Sequence, residues 1–526
     1  MTVTPVRASQ RGGRALLARF DALFNRLYTW RFNPLYHSGA LVVGCFAVLV
    51  ATGLYLIFFY RIGAPYDSME RIAGQAYTGR WIRTLHRYAS DLAVVAAVVH
   101  AFRMGIQNRT WGPRALAWIS GLVLFGVFLV CGWTGYVMVW DAHGQLIASE
   151  GARLLDVFPI FSEPMARTFV GERDMPSAFF FLNLFAHIAI PVGILLILWI
   201  HVSRLARTNV WPPRPLLWGM IGTLTLLSVL WPATLGPEAD PLRIPSEVAI
   251  DLFYGFWLPW SRSVSPGVAW ITILAVGAAL LAVPWLTRPS AASETVPSFV
   301  DPRFCTGCEQ CYHDCPYEAI SMVPRDDDRP YAVGLVDPSK CVSCGICAGS
   351  CAPMGVGPRG RTGRDQLPEV QAFITEHEPT RDDVVLVACA RTAAGWGLDR
   401  FAEAPILTVT CAGSLHSSVV EYLVRAGAGG VMVVACPPRD CWNREGVTWL
   451  EARLYEGREA ELKDRVDRTR LRVVYAAERE HARLTAAVET FRSQVRALDR
   501  VLAERGIRID TTCELPAVSV AETDGP

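Results

Sequence analysis

Only two lysines, Lys340 and Lys463, occur in 526 residues, so nearly all the basic charge is arginine. This reads as a genome-wide compositional bias rather than a functional device. No block of basic residues is present, and the net charge is +1. A nucleic-acid partner is therefore not expected, because a phosphate backbone demands concentrated cation. There is no Gly-rich dinucleotide loop, and no residue set suggests hydrolysis or group transfer, so nicotinamide, flavin and hydrolase chemistry are not expected in this chain. No apolar run occurs before about Leu41, which is too late for an ordinary cleaved signal peptide; the first run is expected to be a retained membrane span. Long uncharged runs are also missing after residue 288.

What is present before residue 288 is strongly apolar. Spans of about 20 residues can cross a bilayer, and six are expected at roughly 40–60, 88–106, 115–138, 180–203, 215–236 and 267–287. Arginines concentrate in the leader, in the second-to-third connection (Arg103, Arg109, Arg114) and in the fourth-to-fifth (Arg204, Arg207, Arg214). The positive-inside rule makes these segments cytoplasmic, with both termini inside, although the first outside loop carries Arg61, Arg71, Arg80 and Arg83. Two spans share an unusual pattern. "HRYASDLAVVAAVVH" places His86 and His100 fourteen residues apart, and "HIAIPVGILLILWIH" does the same with His187 and His201. Fourteen helical residues advance about 21 Å and turn about 1400°, within about 40° of whole turns, so each pair shares one helix face. A lone intramembrane histidine is usually a helix-packing residue. The repeated pair instead suits two bis-histidine haem b sites stacked across the membrane, His86 with His187 and His100 with His201.

"VATG" at 50–53, "WIRTLHRYASDL" at 81–92, "HAFR" at 100–103, "WISG" at 118–121 and "GYVMVWD" at 135–141 accompany these histidines. Together they make residues 33–210 resemble cytochrome b of quinol-oxidising bc and photosynthetic bf complexes, most closely the photosynthetic type. The resemblance implies the haem ligation just given. It also implies that Gly39, Gly53, Gly121 and Gly135 leave room for porphyrin edges, that Arg83 and Arg103 pair with haem propionates, and that the protein is a homodimer. The last two spans resemble the family's smaller companion subunit. Between them, "ADPLRIPSEVAIDLFYGFW" at 239–257 resembles the loop that supports quinol oxidation on the outer side. The family's Pro-Glu-Trp-Tyr signature falls on Ile250, Asp251, Leu252 and Phe253, leaving Asp251 as the sole acidic candidate for an outer quinone site. Val139 stands where the family has proline, and His37 where the photosynthetic type attaches a further haem through cysteine, so no covalent haem is expected.

Of fifteen cysteines, twelve lie between 305 and 441 in short metal-type spacings, which in a large chain points to reduced metal sites rather than disulfides. Cys305, Cys308, Cys311 and Cys315-Pro316 form a C-x2-C-x2-C-x3-C-P run, and Cys341, Cys344, Cys347 and Cys351 repeat the spacing. In bacterial ferredoxins the fourth cysteine of each run serves the other cluster. Cys305, Cys308, Cys311 and Cys351 are thus expected to hold one [4Fe–4S] cluster, and Cys341, Cys344, Cys347 and Cys315 the second. Zinc is the bland alternative for a single C-x2-C. Farther on, "VVLVA" at 384–388, "ILTVT" at 406–410 and "VMVVA" at 431–435 each end in a cysteine: Cys389, Cys411 and Cys436. A parallel α/β sheet is predicted, with its site at the carboxyl ends of the strands. Cys441 joins these through "CPPRDC", and four thiolates at one exposed sheet edge suit a [2Fe–2S] cluster, against buried apolar cysteine as the alternative. The stretch "TCAGSLHSSVVEYLVRAGAGGVMVVACPPRDCWNREG" resembles the iron–sulfur delta subunit of methyl-viologen-reducing hydrogenase. That resemblance implies a cytoplasmic partner: the flavin subunit of heterodisulfide reductase, or a dehydrogenase or hydrogenase.

The expected organisation is a six-helix membrane domain over 1–288, a two-cluster ferredoxin domain over 296–360, an α/β domain over 380–476 and a charged, solvated helix and tail over 477–526. The expected location is the cell inner membrane, with the iron–sulfur domains cytoplasmic. The expected function is electron transfer between the quinone pool and a cytoplasmic flavoprotein or dehydrogenase. Two rival readings are a quinol-oxidising bc-like core with an external Rieske partner, and a membrane anchor subunit.

Overall fold

Two units share the chain: His37–Arg288, and Met1–Tyr36 together with Pro289–Pro526. The computed structural model describes residues 8–159, 164–169, 171, 175–203, 209–243, 245, 248–249, 251–288, 296–327, 329–390, 392–393, 404–444, 446–477 and 479–505. The first described helix, α1 (Ala8–Phe32), belongs to the second unit. The His37–Arg288 unit runs through α2 (Ser38–Ile57), α3 (Pro65–Gly74), α4 (Gly79–Ile106), α5 (Ala115–Val139), α6 (Ala142–Leu155), α7 (Ser177–Ser203), α8 (Arg214–Leu230), α9 (Leu258–Ser263) and α10 (Pro266–Thr287).

Five of these helices, α2, α4, α5, α7 and α10, are long and apolar enough to cross a membrane. The fifth expected span is α8, which has only 17 residues. At 1.5 Å per residue that is about 26 Å, short of a hydrocarbon core of roughly 30 Å. Its end has a local cause: Trp231 precedes Pro232, and a residue before proline is driven out of the helical region. Conversely, α4 starts at Gly79, well before the apolar run, so His86 lies inside the helix. Hydropathy marks the apolar part of a helix and is blind to its polar first turns. Helix α2 packs on α4, and α5 packs on α7, so each histidine helix has one glycine-bearing neighbour.

In the second unit, β1 (Ser298–Val300) pairs antiparallel with β4 (Val356–Pro358), and β2 (Ile320–Val323) with β3 (Val333–Val336). Short helices Gln310–Asp314 and Ile346–Ser350 occupy equivalent places in the two cysteine runs. The remaining sheet is parallel, with β5 (Val384–Cys389), β6 (Ile406–Val409), β7 (Gly430–Ala435) and β8 (Leu471–Tyr475) in the order β6-β5-β7-β8. The chain leaves β5 for one neighbour, β6, and returns to its other side at β7. That reversal is the switch point where open parallel sheets place their sites.

Alternate residues of β5 and β7 face two different cores. Val385, Val387, Val431 and Val433 meet Val419, Val420, Leu423 and Leu450 on one face. Val384, Leu386, Met432 and Val434 meet Leu484, Val488, Phe491 and Val495 on the other. The helix His481–Glu504 is therefore not the solvated helix expected from its charge; it covers one whole face of the sheet. Helix α1 also packs in this unit. Its Trp30 ring lies 4.6 Å from that of Tyr475 at the end of β8, and Asn25 donates to the Tyr36 hydroxyl at 3.1 Å.

Candidate functional site

Two of the four histidines, His86 and His187, are brought ring to ring. The rings of His86 and His187 are 6.4 Å apart, centroid to centroid, and His201 lies within electrostatic reach of His100. Two imidazoles bound through Nε2 to one metal, with bonds of about 2 Å plus the ring radii, would stand roughly 6.3 Å apart. The hydrogen bonds specify which nitrogen faces the partner ring. Thr52 Oγ1 is 2.8 Å from His86 Nδ1, Ser120 Oγ is 3.0 Å from His201 Nδ1, and Thr134 Oγ1 is 2.9 Å from His187 Nδ1. Each hydroxyl already donates its one proton to a carbonyl of its own helix: Val48 O at 2.7 Å, Leu116 O at 2.8 Å and Cys131 O at 2.7 Å. The hydroxyl can then only accept at Nδ1, which leaves Nε2 as a bare lone pair, the form a metal requires.

Glycine follows each of these hydroxyl residues. A Cβ on Gly53 would stand 3.4 Å from His86 Cε1; the same distance is 3.1 Å for Gly121 and His201, 3.0 Å for Gly135 and His187, and 2.9 Å for Gly39 and His100. What lies directly against each glycine is thus an imidazole. Ser38 precedes Gly39, so Ser-Gly or Thr-Gly stands four times, fourteen residues apart on each of α2 and α5. The four glycines are conspicuous in the sequence. The hydroxyls beside them carry the same fourteen-residue repeat but no distinctive signal, since serine and threonine are common in membrane helices. Arg83 donates through Nη1 to Ala233 O at 2.8 Å, and Arg103 is buried.

Asp251 is committed to its surroundings. Its carboxylate accepts from the Tyr136 hydroxyl, from Arg87 Nη2 at 3.2 Å, and from the backbone N–H groups of Phe253 and Tyr254 at 2.7 and 3.0 Å. Burial pushes its pKa up, but the bonds from Tyr136, Tyr254 and Phe253 and the charge of Arg87 outweigh that and hold it below the usual carboxylate range. The Arg87 guanidinium also lies over the Tyr136 ring, 4.6 Å from its centroid. His143, kept neutral chiefly by burial, has its ring 5.1 Å from the same tyrosine. Arg87, Tyr136 and His143 carried no sequence signal of their own. Ile250 of the expected signature lies outside the described residues, and Leu252 is exposed.

In the ferredoxin-like segment each cysteine run carries two left-handed residues around its second cysteine. Gly307 (φ +72°) and Glu309 (φ +64°) flank Cys308, and Ser343 (φ +57°) and Gly345 (φ +77°) flank Cys344. Such alternation turns successive N–H groups to one side and makes an anion-binding concavity. Backbone N–H groups also reach the sulfurs: Ser298 to Cys341, Ala319 to Cys315 and Gly355 to Cys351, each at 3.3 Å. The thiols group across the two runs. Burial raises the Cys351 thiol, and Cys308 and Cys305 of the first run raise it further. Burial also raises Cys344 well above its ordinary value, with Cys347, Cys315 and Cys341 adding to the rise. Among the described residues no three His, Cys, Asp or Glu side chains are grouped to hold a single metal ion. A multi-iron cluster spaces its thiolates more widely than one ion does, because sulfide edges separate the irons.

The four later cysteines meet at the switch point. The Cys436 thiol lies within interaction reach of those of Cys389 and Cys441, and the Cys441 thiol within reach of that of Cys411. Cys389, Cys411 and Cys441 are buried and Cys436 is half-buried, so the expected exposed edge is only a narrow one, at Cys436. The cause is the packing of the short turn Ala412–Ser414 and the helix Gly446–Tyr455 around the strand ends. Both thiol sets have the ligand chemistry of iron–sulfur centres, and the histidine pairs that of b haems.

Comparison with known proteins divides the chain in the same way. Residues 25–209 match the cytochrome b/b6/petB family, residues 304–355 the 4Fe–4S dicluster domain, and residues 387–499 the delta subunit of methyl-viologen-reducing hydrogenase. A solved structure titled hyperthermophilic respiratory Complex III aligns at 20% identity over 51% of this chain and 81% of that one, with a TM-score of 0.40. Along its length the chain resembles, in order, cytochrome b, a 4Fe–4S dicluster domain and the delta subunit of methyl-viologen-reducing hydrogenase.

Proposed function

We propose that this chain conducts electrons between the membrane quinone pool and a soluble cytoplasmic partner. The partner would be a flavin subunit of the heterodisulfide reductase type, a dehydrogenase or a hydrogenase. When bound, two b haems, two [4Fe–4S] clusters and one [2Fe–2S] cluster supply one-electron chemistry without group transfer. His86 with His187, and His100 with His201, hold the haems. Thr52, Ser120 and Thr134 keep three of these rings in the ligating tautomer, and Arg83 and Arg103 sit one helical turn away for the propionates. Cys305, Cys308, Cys311 and Cys351 hold one cubane cluster, and Cys341, Cys344, Cys347 and Cys315 the other. Cys389, Cys411, Cys436 and Cys441 hold the two-iron centre. Helix α8 completes a six-helix membrane domain beside the five longer spans, and both iron–sulfur segments lie on the cytoplasmic side.

Asp251 serves the loop rather than a quinol proton. A carboxylate that already accepts four hydrogen bonds, one of them charge-assisted, is a poor base. This weighs against an outer quinol-oxidation site with a Rieske partner.

The observation that carries the reading is the His86–His187 separation of 6.4 Å together with hydroxyl-capped Nδ1 atoms. Purified wild-type protein should contain two haems per chain by pyridine haemochrome assay. His86→Ala or His187→Ala should remove one haem, and His100→Ala or His201→Ala the other, as distinguished by redox-difference spectra. Retention of both haems in all four variants would end this reading.

A further inference from the structure

Arg453 lies on the helix Gly446–Tyr455, outside every cysteine run, yet it is fully buried. Its guanidinium touches all three thiol groupings through their immediate neighbours. Nη1 donates to Ser350 Oγ at 3.0 Å and stands 3.5 Å from Asp314 Oδ2, and Nη2 donates to Gly413 O at 2.9 Å. Ser350 precedes Cys351, Asp314 precedes Cys315, and Gly413 follows Cys411 by two residues. Asp314 is itself buried; it accepts from Ser350 Oγ at 2.6 Å and from Arg458 Nη2 at 2.5 Å. Arg458 in turn lies over the Trp449 ring, 4.3 Å from its centroid.

The surrounding contacts are as close as backbone allows. A Cβ on Gly349 would lie 2.7 Å from Arg453 Nη2 and 2.8 Å from Gly413 O, and a Cβ on Gly446 would lie 2.7 Å from Ile346 Cδ1. The helix that bears Cys347 is thus pressed against the turn that follows Cys411. A buried ion pair is poor evidence of stability, since apolar side chains of similar volume usually pack as well or better. A charge kept here calls for another reason.

We propose that Arg453 is a positioning residue that locks the ferredoxin-like and α/β segments into a fixed electron-transfer junction and biases the adjoining iron–sulfur centres toward their reduced state. The inference rests on the thiols being cluster ligands. Reduction of a centre adds one electron, supplied by the neighbouring centre that is oxidised; no bond forms or breaks and no proton is required. A buried cation favours that added charge, and burial removes the salt screening that a surface arginine would suffer. Burial lowers the Arg453 pKa to about 10 while Asp314 holds it up, so the group is a cation at neutral pH. Two guanidinium groups, Arg453 and Arg458, face one carboxylate, Asp314, so the junction has a formal excess of one positive charge. Arg453→Met reduces it to zero, and Asp314→Asn increases it to two.

The test is a potentiometric titration of the full-length protein with its cofactors, followed by low-temperature electron paramagnetic resonance. Arg453→Met should lower the 4Fe–4S midpoints and Asp314→Asn should raise them, each shifting the reduction equilibrium on the order of tenfold, about 59 mV for a one-electron couple. Arg453→Lys, which keeps the charge but not both hydrogen bonds, should shift the midpoints less than Arg453→Met, and raising the salt concentration should not erase the shifts. Unmoved midpoints in both variants with iron content intact would overturn the proposal. So would shifts of the same sign in both, the mark of a packing defect. If Arg453→Met loses iron, the near-isosteric Asp314→Asn still decides the sign. Wild-type protein free of iron would instead overturn the cluster assignment beneath it.

Discussion

At Gly39 the side chain is a hydrogen because His100 occupies the space. A Cβ there would stand 2.9 Å from the ring, closer than real Cβ contacts allow, whereas at Gly53 the distance to His86 is 3.4 Å, ordinary contact. If the histidine pairs hold haems as proposed, Gly39→Ala should displace His100 and deplete the haem of the His100/His201 pair, while the other pair stays full. Gly53→Ala should leave haem content close to wild type. Haem stoichiometry and low-temperature difference spectra check both, and equal effects would mean that the clash is relieved by general helix movement. The histidines were legible in the sequence because paired imidazoles at one helical spacing have few other uses. Their hydroxyl partners were not, because serine and threonine are common in membrane helices and each bonds its own backbone anyway. Asp251 was legible as an acidic group but not as a satisfied one, since Arg87 and Tyr136 reach it from distant parts of the chain.

At the scale of elements, β5, β6 and β7 were readable as β-branched runs ending in cysteine. Strand β8 is not marked in this way, because "LRVVY" follows a polar turn, carries Arg472 in its run and does not end in a cysteine. The helix His481–Glu504 was misjudged for a related reason. Its charge dominates the composition, while Leu484, Val488, Phe491 and Val495 recur at helical spacing and are all buried. Phe491 also contacts the space beside Gly430, where a Cβ would come within 2.9 Å of its ring. Phe491→Ala should accordingly cost about 3–5 kcal/mol, as for other large buried aromatics. An exposed control on the same helix, Arg500→Ala, should change stability by less than about 0.5 kcal/mol. Thermal unfolding of the α/β segment within the full chain, followed by loss of the two-iron signal, provides the measurement. Equal melting of the two variants would return the helix to the solvated role its charge suggested.

At the scale of the molecule, the two units have separate cores, and this separation makes function divisible. The apolar bundle owes its cohesion to α2 on α4 and α5 on α7, and the α/β segment owes its own to the two faces of one sheet. A lesion at the switch point lies in a different unit from the histidine pairs. Cys436 is the suitable place for it: half-buried where its three companions are buried, and within interaction reach of both Cys389 and Cys441. If the two-iron centre is the port for the soluble partner, Cys436→Ala should abolish electron exchange with a soluble acceptor. On the proposed function, reduction of the haems by added quinol should continue at the wild-type rate, because all four proposed haem ligands lie in the His37–Arg288 unit. Stopped-flow haem reduction and a soluble-dye assay on the same preparation separate the two steps. Equal loss of both would identify Cys436 as a folding residue, and stoichiometric zinc without a two-iron signal would remove the [2Fe–2S] assignment altogether.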